Sequence, residues 1–418
     1  MRFKIKKGII EGGNMKHKIN TFNYYVPNLP FSTVSFWFRA GSRFEPESKA
    51  GLAHLFEHAY MKRTQKHKSV AKRLEYIEAN GILQGAFTSQ DPVYYYTLQD
   101  PNTTKDGYDI LLDGLYHSII DSGDLLSAKK SVTDELKRSE SNDFNTLWNL
   151  ANQGLWPNSS LAHNPLGTVS TIKRINQKDL DDFRRKYYKN SNMIAVIVSP
   201  NKRDLSISGA HRGAMIKEEN SQRENFEKPE NLIIKNSKDF VLIAISFRTS
   251  GQKTNKEVAC LRLVKNYLAG GWISRLNSKL RLKENLTYHV EGYIRDFPDT
   301  GMLRFVFSTP KKNVKQAIKL VNEEVNSLKT RKIFNKILDK HKQASKIGIL
   351  SNSFIPRSVL LHYGWTNLVN MERSPTLTSF LKIMDKLTPG DIMEVAQKHL
   401  EKSSIAGIGN INLGDLKQ

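Results

Sequence analysis

The chain has 418 residues, 39% hydrophobic and 25% charged, which is the composition of a soluble globular protein long enough for two domains with buried cores. No stretch reaches the roughly 18 apolar residues of a membrane helix. The opening MRFKIKKGIIEGGNMKHK has no apolar core or cleavage site of a secretory signal. One cysteine, Cys260, excludes an intrachain disulfide and fits a reducing compartment, so a cytoplasmic protein without a membrane partner is expected. The formal net charge of +23 comes from basic residues spread along the chain, with no cluster interleaved by stacking aromatics. That favours a solvated basic surface, with some preference for acidic substrates, over a nucleic-acid partner.

Residues 22–47 read as strand, turn, strand, with Thr33 to Arg39 alternating in polarity before Ala40-Gly41-Ser42 breaks the pattern. The next stretch, KAGLAHLFEHAYMKRT over 49–64, is the centre of the sequence. At about 100° per helical residue, His54, Glu57 and His58 share one narrow arc. Two imidazoles one turn apart can reach a single ion, and zinc accepts nitrogen ligands while leaving a position for water. A carboxylate beside them can take a proton from that water. The order His-x-x-Glu-His is that of the inverzincins.

A helix over Ser69–Asn80, with Val70, Leu74 and Ile77 at helical spacing, is closed by Gly81. Gly85 to Ser89 reads as a turn and Val93 to Leu98 as a strand. A strand here serves equally well as an interior strand or as an edge that a peptide could extend. Residues 107–120 form a helix with Ile110, Leu111, Leu115 and Ile119 inward, and 125–140 form another that carries Glu135. From the bare residues Glu135 is a solvated charge.

His54-x-x-Glu57-His58, followed by 76 residues and then Glu135, resembles the pitrilysin/insulinase family of zinc peptidases, nearest its mitochondrial and bacterial processing-peptidase branch. The run from Ala40 to Glu45 through Gly51-Leu52-Ala53-His54 to Lys62-Arg63-Thr64 is similar to that family's zinc segment. Ala86-Phe87-Thr88-Ser89 resembles its substrate-binding edge strand, and Asn164-Pro165-Leu166-Gly167-Thr168 another of its markers. The resemblance implies one zinc ion per chain held by His54, His58 and Glu135, Glu57 as general base, and Ala86, Phe87 and Thr88 at the substrate. Two positions depart from the family pattern. Gly85 stands where Asn is usual, and Ala128 where many members have a second carboxylate two turns before the ligand glutamate.

Ile172 to Tyr188 reads as one helix and Met193 to Val198 as a buried strand. The polar stretch after it, with little hydrophobic periodicity, is a linker. This divides the chain into a zinc domain (1–205), a linker (206–230) and a second domain (231–418). The second half repeats the first in outline, which suggests duplication. Val241–Thr249 echoes 33–39, and a helix over Asn255–Leu268 takes the zinc helix's place, with no histidine or carboxylate in VACLRLVKNYL and with Cys260 as a small buried hydrophobe. A strand over 301–309 and helices over 313–328, 331–348 and 388–400 complete it, the last opened by Thr388-Pro389.

Gly270 to Tyr288 resembles the family's C-terminal segment, in which an arginine and a tyrosine seven positions later reach the active site. The resemblance thus implies that Arg281 holds substrate carbonyls and Tyr288 donates to the oxyanion. From the bare residues, Arg281 is an exposed helix residue and Tyr288 a strand-edge aromatic. The expected fold is α+β, two similar domains each with an antiparallel sheet and helices packed on it, resembling half of a clam-shaped chamber. The expected function is zinc endopeptidase activity on peptides, in a homodimer or in a heterodimer with a related metal-free subunit. The alternatives are a subunit dedicated to leader-peptide processing and a non-catalytic structural homologue.

Overall fold

The computed structural model describes residues 10–12, 15–17, 19–202, 226–251, 253–369 and 374–416. Strands β1 (Ile10–Gly12) and β2 (Met15–His17) form a small antiparallel pair. They are followed by β3 (Asn20–Tyr25), β4 (Ser32–Arg39), α1 (Leu52–Ala59), β5 (Arg63–Thr64), α2 (Val70–Ala79), β6 (Leu83–Thr88), β7 (Pro92–Gln99) and α3 (Thr104–His117). Next come β8 (Ser118–Ile119), α4 (Ser122–Glu140), α5 (Asp143–Leu155), α6 (Val169–Arg174), α7 (Gln177–Tyr187) and β9 (Met193–Ser199). The second half holds β10 (Leu232–Lys235), β11 (Phe240–Ser250), α8 (Asn255–Ala269), β12 (Val290–Asp296), β13 (Thr300–Pro310), α9 (Val314–Thr330) and α10 (Asn335–Asn352). It closes with α11 (Pro356–Leu360), α12 (Thr366–Val369), α13 (Leu377–Asp385), α14 (Pro389–His399) and β14 (Ser403–Gly409).

Two five-stranded sheets share one strand plan, β3-β9-β4-β7-β6 and β10-β14-β11-β13-β12. Each is antiparallel except for one parallel pair, β3 with β9 and β10 with β14. The repeat expected from the sequence is therefore present strand for strand. Helix α8 follows β11 as α1 follows β4, and Cys260 on it is fully buried in the apolar cluster beneath the second sheet.

The chain divides into two compact units, and not at a single point. The described residues of Met1–Arg138, His163–Ser221 and Ser351–Ser374 form the first, and those of Ser139–Ala162, Gln222–Leu350 and Pro375–Gln418 the second. The contiguous halves expected from the sequence thus exchange two segments. Helix α5 packs on the second sheet through Leu147, Leu150 and Ala151 against Ala244, Val306 and Ala406. The segment with α11 and α12 packs on the first sheet, where Val359, Leu360, Tyr363 and Leu368 meet Tyr24, Trp37 and Tyr94.

That second cover explains why β4 is buried at every position despite its alternating sequence. Val34, Phe36 and Phe38 face α1 and α3, while Trp37 faces the 359–368 segment. The polar residues on β4 are satisfied internally. Thr33 donates to the Thr97 carbonyl at 2.8 Å, and the Trp37 indole donates to Ser35 Oγ at 2.8 Å.

Three local expectations need correction. Residues 85–88 belong to strand β6, and the turn comes after them at 89–91. The helix expected over 107–120 ends at His117 and gives way to β8. The helix expected over Ile172–Tyr188 is two helices, because Asn176 accepts from the Asp179 N–H in a capping box that starts α7 afresh. Of the linker expected over 206–230, residues 206–225 lie outside the described residues; 226–230 have no regular structure.

Candidate metal centre

Helix α1 has two chemically distinct faces. Leu52, Ala53, Leu55, Phe56 and Ala59 enter the core, where the Phe56 ring packs on Tyr60, Phe183 and Tyr188. This fixes the helix's rotation and turns His54, Glu57 and His58 to the opposite side. Their ligand atoms all lie within 4.8 Å of one another.

Glu135 comes to the same point from α4, whose Ala128, Val132 and Leu136 are fully buried. Its Oε2 lies 3.7 Å from His54 Nε2 and 3.4 Å from His58 Nε2. The solvated charge read from the bare residues is thus brought to the two histidines. Ala128, the second departure from the expected pattern, sits in the apolar cluster with α1.

Burial sets the charges. Desolvation, with His58 next to it, holds His54 down to about 4, so its imidazole is neutral and able to ligate. Burial pushes the Glu57 carboxyl up to about 7, opposed by the Thr88 hydroxyl, which donates to Glu57 Oε2. The hydrogen bond with His58 holds Glu135 below the usual carboxylate range. His54 Nδ1 is buried without a hydrogen-bond partner among the described residues.

A carboxylate oxygen 3.4 and 3.7 Å from two imidazole nitrogens fits the spacing of ligands on one tetrahedral ion. Zinc–ligand bonds of about 2.0–2.2 Å imply donor separations of about 3.4 Å.

Among the described residues, strand β6 pairs with β7 alone and is the edge of its sheet. Of the three residues expected at a substrate, Thr88 bonds to Glu57, while Ala86 packs toward the α1 side of the sheet. Phe87 lies on the other face, against Tyr94 and under the Arg357 guanidinium. Gly85, the departure from Asn, is covered by Tyr96, whose Oη would lie 2.5 Å from an added Cβ. The Thr88 bond to Glu57 was not legible in the sequence, because it joins residues 31 positions apart.

Arg281 and Tyr288 belong to the second unit. Arg281 lies in a π-helical turn, Asn277–Lys283, and stacks on two rings, 4.1 Å from the Trp272 centroid and 4.7 Å from that of Tyr288. Tyr288 is 74% exposed. The two are thus held to each other, with Trp272 as the third member.

Among the described residues no helix is long and apolar enough to cross a membrane. Two family models match the chain. One is described as Insulinase (Peptidase family M16), over residues 24–168, and the other as Peptidase M16 inactive domain, over 174–345. An uncharacterized zinc protease of Bacillus subtilis, YmxG, is 26% identical over 325 residues, 77% of this chain and 78% of that one. The mitochondrial-processing peptidase subunit beta of Bos taurus is 24% identical over 290 residues, 66% of this chain but only 59% of the bovine subunit. A crystal structure of a protease from Helicobacter pylori matches with a TM-score of 0.79 at 19% identity, over 95% of this chain and 98% of that one. A peptidase M16 inactive domain from Pseudomonas fluorescens matches at 0.78 with 20% identity, over 96% and 99%. These likenesses extend over both sheets, and the chain belongs to peptidase family M16, the insulinase family, on its processing-peptidase-like branch.

Proposed function

We propose that the chain is a zinc-dependent endopeptidase acting on peptides or short unfolded polypeptides. The observation that carries this reading is Glu135 lying 3.7 Å from His54 and 3.4 Å from His58, with the ligand atoms of His54, Glu57 and His58 within 4.8 Å of one another. Bound by that set, the ion would polarise a scissile carbonyl and acidify a water.

Glu57 then takes the proton of the attacking water as the C–O bond forms. It returns the proton to the amine as the C–N bond breaks. Burial, which raises this carboxyl in the metal-free protein, favours its taking up that proton. Thr88 orients Glu57 through its hydroxyl. The free edge of β6 supports an extended substrate pairing through backbone bonds, with Ala86, Phe87 and Thr88 along it. Arg281 and Tyr288 are proposed to hold substrate carbonyls and donate to the oxyanion, as the family resemblance implies.

The name of the bovine relative, a subunit, supports assembly with a second chain, as a homodimer or with a related metal-free partner. The test is cleavage of a quenched fluorescent peptide library by wild type and Glu57→Gln, with metal content measured on both. The expected result is about one zinc per chain in each, cleavage by wild type, and loss of at least about 100-fold in the variant. Metal in both and cleavage by neither favours a dedicated subunit that needs its partner. A wild type that holds no metal supports the non-catalytic reading instead.

A further inference from the structure

We infer that Glu45 is a positioning residue of the metal centre: its carboxylate caps helix α1 from outside the helix and ties it to the end of strand β6. The inference rests on the metal reading of His54, His58 and Glu135.

A helix leaves its first N–H groups without intrahelical partners, and a Ser, Thr, Asp or Asn at the N-cap ordinarily accepts from them. Helix α1 has no such residue. Its N-cap is Gly51, at φ +91°, and no side chain at that position makes a cap bond. Nor is there room for one, since an added Cβ would lie 2.6 Å from Ile172 Cδ1 and 2.8 Å from the Leu166 carbonyl. The turn at 164–168 presses against this spot, with an added Cβ on Gly167 only 2.2 Å from the Ala50 carbonyl. Thr171 Oγ1 donates to that same carbonyl at 2.7 Å. The close fit that fixes the start of the helix therefore excludes an ordinary cap.

Glu45 supplies the acceptor instead. Its Oε2 takes the Leu52 N–H at 2.9 Å and its Oε1 the Ala53 N–H at 3.3 Å. Those are the two amides directly before His54. Glu45 is itself buried, 8% exposed, at the end of a loop that is held from the other side. Within this loop Gly41 donates to the Asp91 carbonyl at 2.7 Å, Ser42 to the Ser89 carbonyl at 3.0 Å and Arg43 to the Gln90 carbonyl at 2.9 Å.

Residues 89–91 are the turn that follows Thr88 at the end of β6. One continuous path of bonds thus runs from the turn through the 41–45 loop and the Glu45 carboxylate to the first amides of α1. It fixes the helix along its axis relative to the strand, which sets His54 over the site and keeps Glu57 in reach of Thr88.

The test compares wild type with Glu45→Gln and Glu45→Asp. Gln keeps one acceptor and turns an N–H₂ toward a donor; Asp keeps both carboxyl oxygens and shortens the reach. Zinc affinity is read by competition with a chromogenic chelator, and amide exchange of the peptide spanning 49–56 by mass spectrometry on metal-stripped protein. We expect a 10- to 100-fold loss of zinc affinity, the usual effect of removing support for a metal ligand, with faster exchange in that peptide alone. Zinc affinity within twofold of wild type in a folded variant overturns the inference, as does unchanged exchange over 49–56. A variant that loses thermal stability but keeps its zinc affinity shows a merely structural residue, and also overturns it. Should Glu45→Gln not fold, Glu45→Asp gives both readouts. Wild type that binds no zinc defeats the metal reading and the inference together, whereas tight zinc binding by all three proteins defeats the inference alone.

Discussion

His399, on α14, is 1% exposed, and its Nδ1 accepts the Ser250 N–H at 3.2 Å. Burial, with Lys253 and Lys398 nearby, holds it down to about 4, although Glu257 lies 3.7 Å from its Nε2 and pulls the other way. An unfolded histidine takes up its proton near 6.5. Between about 6.5 and 4 the unfolded chain therefore binds more protons at this position than the folded one, and stability falls as pH falls through that window. From pH 7 to pH 5 this one residue should cost about 2 kcal/mol. Urea unfolding of wild type and His399→Gln at both pH values checks it. The variant should lose about 2 kcal/mol less than wild type over the interval, and equal losses would refute the assignment. Nothing in the sequence around 399 signals this burial, whereas His54 and His58 announce themselves by their spacing with Glu57. The contrast is physical. A metal site on one helix is written in local periodicity, while the Ser250–His399, Glu45–Leu52 and Thr88–Glu57 bonds depend on where distant loops and strands end.

At the level of elements, α1 and α8 follow from hydrophobic pattern, since their apolar positions decide which face is buried, whereas in α2 the apolar Leu74 is exposed and Arg73 is buried in its stead. The placement of helix α5 does not follow from pattern. Its residues pack on the second sheet although the chain reaches that sheet's first strand only some 75 positions later, and no local signal carries a destination. What anchors it is Arg304 on β13, fully buried. Its guanidinium donates to Asn152 Oδ1 at 2.9 Å and to the Trp148 carbonyl at 3.3 Å, and its Nε donates to Ser246 Oγ at 2.8 Å. It also lies 4.3 Å from the Trp148 ring centroid. Burial lowers this arginine to about 9, the mark of a cation kept in place by acceptors and a ring face rather than by solvent. Arg304→Met keeps the bulk and removes every donor, taking from Asn152 Oδ1 and Ser246 Oγ their bonds to the guanidinium, while the Trp148 carbonyl keeps its place in the helix. Stability should fall by about 2–4 kcal/mol, measured by urea unfolding. A loss below about 0.5 kcal/mol would mean that apolar packing alone holds α5.

On the scale of the whole molecule, two sheets share one strand plan, and among the described residues a His-Glu-His group that could hold an ion stands only beside the first. The apolar face of α8 matches that of α1, but none of the α8 residues that would correspond to the metal face of α1 is a histidine. Selection for folding is thus separable from selection for chemistry within a single chain. The net charge belongs to the molecule as a whole. A chain at +23 attracts anionic partners and speeds their encounter at low salt. If the proposed peptidase activity holds, its kcat/KM should depend on substrate charge more than on any one subsite. Two peptides sharing the residues around the scissile bond, one carrying four distal Asp and the other four distal Lys, isolate this effect. At about 20 mM salt the acidic peptide should be cleaved at least about 10-fold more efficiently. Near 0.5 M, where the screening length shrinks to a few ångströms, the ratio should approach one. The difference should sit in KM with kcat unchanged, because distal charge acts on encounter and binding and not on proton transfer at Glu57. A preference for the basic peptide, or a ratio indifferent to salt, would show that local acidic groups at the substrate path outweigh the global field.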